Sequence, residues 1–185
     1  MLATTLPFVL ALIALVFLAL VLSMRALFLT GVPVHAACPE TISAALDLLA
    51  LKDGERFFDL GCGMGAVLRE ARRRADVRAI GVELNPPVAL LTGLRSLFDR
   101  KIRVRVRDLR KMPMDDIDAA YFYLMPYSLT QVGPIFEQRM RPGTRLVAID
   151  FPVPDWIPLE TREAGPLRQP VRLYVLGKHR APATG

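Results

Sequence analysis

Asp59-Leu60-Gly61-Cys62-Gly63-Met64-Gly65 decides the reading of this chain: a carboxylate ends an apolar strand, and three alternate glycines follow it at once. Phe57 and Phe58 supply the strand and Ala66 to Ala71 the first turns of a helix, so the segment predicts strand, tight turn and helix in succession. Glycines suit such a turn because it needs backbone angles and a closeness of approach that a Cβ would obstruct. The space left at the strand's carboxyl end fits a nucleoside-bearing ligand.

Two kinds of cofactor loop share these features. Gly61, Gly63 and Ala66 fit the dinucleotide fingerprint G-x-G-x-x-G/A, and Glu83 lies at the distance expected of a ribose-binding acid. Against that reading, Asp59 stands where a dinucleotide-binding strand would be apolar, and the chain has no room for a separate substrate domain. The D-x-G-x-G-x-G pattern resembles motif I of the class I S-adenosylmethionine-dependent methyltransferases. Further acids follow on schedule. Residues 77–82 read as a second strand ending in Glu83-Leu84-Asn85-Pro86, with Pro86 placed to begin a helix through Phe98. A carboxylate at that strand tip can accept hydrogen bonds from both ribose hydroxyls, which assigns Glu83 as the ribose ligand. A third strand, residues 102–107, ends in Asp108, which can accept from an adenine amine or cap a helix.

The remaining pattern alternates strand and helix, which predicts a mostly parallel α/β sheet with helices on both faces. Residues 117–123 form strand four, residues 129–140 a helix and residues 144–151 strand five. Pro152, Pro154, Pro158, Pro166 and Pro170 then read as irregular chain before a last apolar run, residues 171–176. Placed antiparallel beside strand five, that run completes a methyltransferase sheet, with strand three at the edge.

A narrower resemblance rests on five segments: the glycine motif, Gly81-Val82-Glu83-Leu84-Asn85-Pro86, Tyr121-Phe122-Tyr123-Leu124-Met125-Pro126, Arg141-Pro142-Gly143-Thr144-Arg145, and Phe151-Pro152-Val153-Pro154-Asp155-Trp156-Ile157-Pro158. In this order they resemble the membrane-anchored protein-lysine methyltransferases of the adenine nucleotide translocase and the ATP synthase c subunit, with their prokaryotic relatives. Val32-Pro33-Val34-His35 follows that family's proline-rich lead only loosely. The resemblance implies a Rossmann-like methyltransferase fold with S-adenosylmethionine as cofactor. The cofactor-binding set is then Asp59, Gly61, Gly63, Gly65, Glu83 and Asp108. Tyr123 and Pro126 become substrate-positioning candidates at the end of strand four, while Tyr121 packs the sheet and Trp156 either walls the pocket or pins its loop. The activity implied is methylation of a lysine in a membrane protein. The same features also fit a methyltransferase for a lipid headgroup or small amphipathic amine, or a non-catalytic cofactor-binding or assembly protein that keeps the fold.

The N-terminus speaks independently. From Leu6 to Met24 there is no charge, and thirteen of those residues are Leu, Ile, Val or Phe. That length and composition suit a bilayer-crossing helix whose insertion is favourable by several kcal/mol. A cleaved signal peptide is the rival, with Val34-His35-Ala36 as a faint cleavage site, but it lacks a basic leading segment and its apolar core is too long. The expected organisation is an anchor over residues 1–30 and one methyltransferase domain over residues 31–185. Arg25 and the basic domain behind it place that domain on the cytoplasmic side.

The 24 Lys+Arg outnumber the 18 Asp+Glu for a formal charge of +6, which suggests an anionic neighbour, lipid rather than nucleic acid. Arg103, Arg105 and Arg107 alternate along strand three, and Arg95, Arg100, Lys101, Arg110 and Lys111 lie close in sequence. Edge-strand arginines block aggregation or meet lipid. Arg69, Arg72, Arg73 and Arg74 read as a solvated helix face. Cys38 and Cys62 are too few for a disulfide framework, and His35 and His179 stand alone, so no metal is expected.

Overall fold

Strands that are apolar without alternation belong at the centre of a sheet covered on both faces. In a computed structural model of the chain, which describes residues 2–30 and 37–180, β1 (Arg56–Leu60), β4 (Ala119–Phe122) and β5 (Arg145–Ile149) occupy that position, buried almost throughout. Parallel to them lie β2 (Arg78–Glu83) and β3 (Ile102–Val106), and β7 (Gln169–Val175) runs antiparallel beside β5. With β6 (Glu160–Ala164), the sheet order is β3-β2-β1-β4-β5-β7-β6, with β3 at one edge as expected.

Residues alternate between two cores across this sheet. Phe57, Tyr121 and Val147 face α2 (Pro39–Leu49) and α3 (Ala66–Arg74), where Ile42, Leu46, Leu49 and Leu68 are buried. Phe58, Phe122 and Leu146 face α5 (Pro126–Arg139), whose Leu129 and Phe136 fill the other core. The Phe122 and Phe136 rings sit 5.5 Å apart in a tilted pair. α4 (Pro86–Arg95) connects β2 to β3 and buries only Ala89 and Thr92.

Several features depart from the sequence reading, each for a local reason. α2 was not anticipated, although Ile42, Ala45, Leu46 and Leu49 recur at helical spacing behind Pro39 in the first turn. The proline-rich stretch read as irregular contains a strand, β6 (Glu160–Ala164), paired antiparallel to β7. Its Glu160, Thr161, Arg162 and Glu163 are all exposed, so this charged edge strand is held by backbone pairing and shows no apolar alternation. α4 ends at Arg95 rather than Phe98, and α5 begins at Pro126 rather than Leu129, both with proline in the first turn. Arg72 is not a solvated residue: its side chain is 17% exposed and pairs with Asp76 and Asp99, each at 2.9 Å.

Trp156 pins its loop and does not wall a pocket. Its indole N–H donates to Glu137 at 2.7 Å, and its ring meets Tyr174 edge-on with centroids 5.5 Å apart. His179 packs on the same indole at 4.4 Å, accepting from the Gly177 N–H through Nδ1 and reaching Glu137 through Nε2. The Arg180 guanidinium, with help from His179 and Trp156, holds the Glu137 carboxyl down at about 2.

α1 (Leu2–Thr30) is one continuous helix. Its segment Thr5–Leu22 has a mean hydropathy of 2.9 and is exposed, so it is long and apolar enough to cross a membrane. Val32-Pro33-Val34-His35 and the cleavage-like Val34-His35-Ala36 lie outside the described residues.

Candidate functional site

The glycine loop is fastened before any ligand arrives. The Gly61 and Cys62 N–H groups both donate to the Val82 carbonyl, at 2.8 and 3.0 Å, tying the end of β1 to β2. Gly63 adopts φ 46°, its N–H donates to Glu83 Oε2 at 3.0 Å, and its carbonyl accepts from Thr92 Oγ1 at 2.6 Å. Gly65, at φ 73°, is needed for close packing: a Cβ there would come within 2.6 Å of the Thr92 methyl. Glu83 Oε1 accepts from the Asn85 N–H at 2.9 Å, so the carboxylate is oriented by two backbone donors and keeps lone pairs for further donors.

These elements border a cavity of about 250 Å³ at the carboxyl ends of the strands. Asp59, Gly61, Gly63, Glu83, Asp108 and Tyr123 all line it, so the structure brings together most of the residues singled out from sequence. Gly65 and Pro126 fall outside the lining. Gly65 supports the loop from behind, and the first turn of α5 presents Tyr127 and Ser128 in place of Pro126.

Asp59 is strongly perturbed. Its side chain is buried, and its Oδ2 has no hydrogen-bond partner. Burial, reinforced by the charge of Glu83, pushes its pKa up to about 8. The same burial raises the Cys62 and Tyr121 side chains above their ordinary values, so neither ionises at neutral pH. A buried carboxyl with an orphaned oxygen facing a cavity is suited to a cationic or hydrogen-bond-donating ligand.

Asp108 is a helix cap that also lines the cavity. Oδ1 caps the short 3₁₀ turn Leu109–Lys111 by accepting the Arg110 N–H at 2.9 Å, and Oδ2 pairs with the Arg110 guanidinium at 2.8 Å. That pairing holds its carboxyl below the ordinary range, so it faces the cavity as an anion.

At the other end of the cavity Tyr123 belongs to a network that the sequence did not reveal. Its hydroxyl donates to Asp150 Oδ2, and the Gln169 amide donates to both, at 3.2 Å to the hydroxyl and 2.9 Å to the carboxylate. Thr41 Oγ1 fixes Gln169 by donating to Oε1 at 3.0 Å, and Arg172 donates to the Asp150 carbonyl at 2.6 Å. Asp150 sits in the left-handed region at φ 62°, a conformation costly for a residue with a Cβ. Burial, together with the hydrogen bond to Asp150, pushes the Tyr123 phenol up to about 12. Sequence reasoning missed Asp150, Gln169 and Thr92. Only Asp150 carried a signal, since it is an acid directly following a strand, as Glu83 and Asp108 nearly are.

Known methyltransferases resemble this chain in sequence and in fold. The family described as the ANTKMT methyltransferase domain matches residues 59–160. A protein-lysine N-methyltransferase of Saccharolobus islandicus is 24% identical over 160 residues, covering 83% of this chain and 99% of its own. An adenine nucleotide translocase lysine N-methyltransferase of Mus musculus is 28% identical over 131 residues, 69% of this chain and 57% of its own. The chain thus spans nearly all of the first relative and a little over half of the second. Among solved structures, an RNA methyltransferase from Salinibacter ruber in complex with S-adenosyl-L-homocysteine superposes with a TM-score of 0.73 at 22% identity, covering 81% of this chain and 97% of that one.

Proposed function

The chain belongs to the ANTKMT methyltransferase family, a group of S-adenosylmethionine-dependent methyltransferases, and from that premise we propose that it is a membrane-anchored N-methyltransferase for a lysine of a membrane protein. The observation that carries this reading is the Tyr123–Asp150–Gln169 network beside the glycine loop. It offers a long amine an aromatic face, a carboxylate behind it and a hydroxyl of fixed orientation. The activities of the Saccharolobus islandicus and Mus musculus relatives support it.

S-adenosylmethionine supplies a methyl group already activated by a sulfonium, so this chain's residues have mainly to bind, orient and exclude water. Glu83 suits the ribose, Asp108 the adenine amine, and Asp59 the cationic methionine end. With its pKa at about 8, Asp59 is protonated in the free protein at neutral pH, and a cation beside it favours the anion. Cofactor binding near neutral pH should therefore release a proton. Calorimetry in phosphate and Tris should give different apparent enthalpies, and affinity should rise with pH by up to about tenfold per unit until pH about 8. Equal enthalpies in both buffers would remove Asp59 from this role.

Tyr123 is not the base. A phenol pushed up to about 12 stays protonated, so it donates to Asp150 and accepts from the Gln169 amide, which fixes the ring that an incoming amine would meet. Asp150 lies outside the cavity lining and acts through Tyr123, as a positioning residue. Leu124 and Val132 give the cavity apolar walls, where desolvation lowers an amine's pKa and leaves more of it neutral.

The apolar helix α1 would hold the domain at the membrane, on its cytoplasmic side. Membranes incubated with the chain and radiolabelled S-adenosylmethionine should take up label in protein resistant to lipid extraction. Label confined to the lipid extract would instead establish a headgroup methyltransferase.

A further inference from the structure

We propose that the outer face of α4 and the turn behind it form a second membrane contact, lying on an anionic lipid surface next to the point where α1 enters the bilayer. This inference rests on the anchoring role proposed for α1. Leu90 and Leu94, one turn apart on the side of α4 away from the sheet, are 66% and 52% exposed, and in the turn that follows Leu97 is 66% exposed and Phe98 fully so. Of the large apolar side chains exposed on the methyltransferase domain, the main concentration lies in this segment, whereas Ile157, Leu159 and Leu167 are scattered along β6 and its flanking loops. A cluster of this kind marks an interaction surface.

Charge identifies the occupant. Arg95 and Arg100, both exposed, flank the leucine stripe, whereas Arg103 and Arg105 stand in register with Ile80 and Val82 and so face the other side of the sheet. Among the described residues neither Arg95 nor Arg100 has a carboxylate partner, whereas Arg72, Arg73, Arg74, Arg145 and Arg168 all do. The one acid in the turn, Asp99, is already engaged by Arg72. An apolar stripe bordered by unneutralised arginines matches the headgroup and upper acyl layers of an anionic membrane, and would repel a second copy of itself. α1 touches α4, so anchoring by α1 would bring this face near the bilayer surface. The amino end of α4 adjoins Glu83. Docking would therefore hold the cofactor cavity at headgroup level, in reach of a lysine just outside the hydrocarbon.

The test uses the full chain reconstituted in phosphatidylcholine vesicles with and without phosphatidylglycerol, with a tryptophan reporter at Phe98→Trp or, as control, at the exposed turn residue Leu167→Trp. Native Trp156 is buried and gives the same background in both. Acyl-brominated lipid should quench the Phe98→Trp reporter about twofold more than the control in phosphatidylglycerol vesicles, and Arg95→Glu with Arg100→Glu should abolish that difference. Alkaline carbonate extraction of the same vesicles reports on α1 separately. Equal quenching at both positions in carbonate-resistant protein would overturn the docking face and leave the anchor standing. Selective quenching in carbonate-extractable protein would support docking and remove the anchor. An emission shift at the Phe98→Trp reporter that depends on protein density and not on bromine would mean that a second copy covers the face, and would overturn the proposal.

Discussion

Tyr123→Ala should lower turnover on a protein substrate by about a hundredfold while leaving S-adenosylmethionine affinity within a few fold, because misplacing a nucleophile by about an ångström costs that much in rate. The ring it removes offers a cation or amine roughly 0.5–2 kcal/mol, and the hydroxyl is held by Asp150 and Gln169. Neither group belongs to the glycine loop. Tyr121→Ala, two residues earlier on the same face, should behave differently. Tyr121 is only 4% exposed and packs in the core beneath α2, so truncation should cost about 3–5 kcal/mol and lower Tm by about ten degrees. Loss of activity in Tyr123→Ala that merely tracks its melting would make the strand-four end structural.

The second large effect is expected on cofactor binding. Glu83→Ala removes a carboxylate that both orients the loop, through the Gly63 N–H, and retains lone pairs for the ribose hydroxyls. Hydrogen bonds to charged groups contribute about 1.5–3 kcal/mol, so calorimetry with S-adenosylhomocysteine should show affinity reduced roughly tenfold to a hundredfold. Asp59→Asn should weaken S-adenosylmethionine similarly but without loss of folding, since the buried carboxyl is already neutral in the free protein. It should also abolish the buffer-dependent enthalpy. Unchanged affinity in both folded variants would contradict the cofactor assignments.

Much of this arrangement was legible in sequence because the relevant physics is local. Continuous apolar runs ending in Asp59 and Glu83 announced central parallel strands, and glycines with positive φ announced the turn between them. The third acid, Asp108, was ambiguous between cap and ligand, and the structure shows why: one carboxylate performs the capping while facing the cavity. What escaped was set by pairing across long separations. β6 is polar and exposed from Glu160 to Glu163, so its strand character exists only in the β7 ladder. Gln169 is 46 residues from Tyr123 and 128 from Thr41, and no local pattern joins them. Pro126 was selected for its place after the tyrosine-rich strand, yet its role as first residue of α5 leaves the cavity wall to its neighbours.

The central claim is that the cavity between the glycine loop and Tyr123 methylates a lysine of a membrane protein. The most direct measurement is peptide mass spectrometry of membrane proteins from cells lacking the gene, complemented either with the unaltered chain or with Tyr123→Ala. The account predicts a methylated lysine present with the unaltered chain, absent in the deletion and strongly reduced with Tyr123→Ala at equal protein level. A set of methylated lysines identical in all three strains, with methylated lipid amines changing instead, would contradict it.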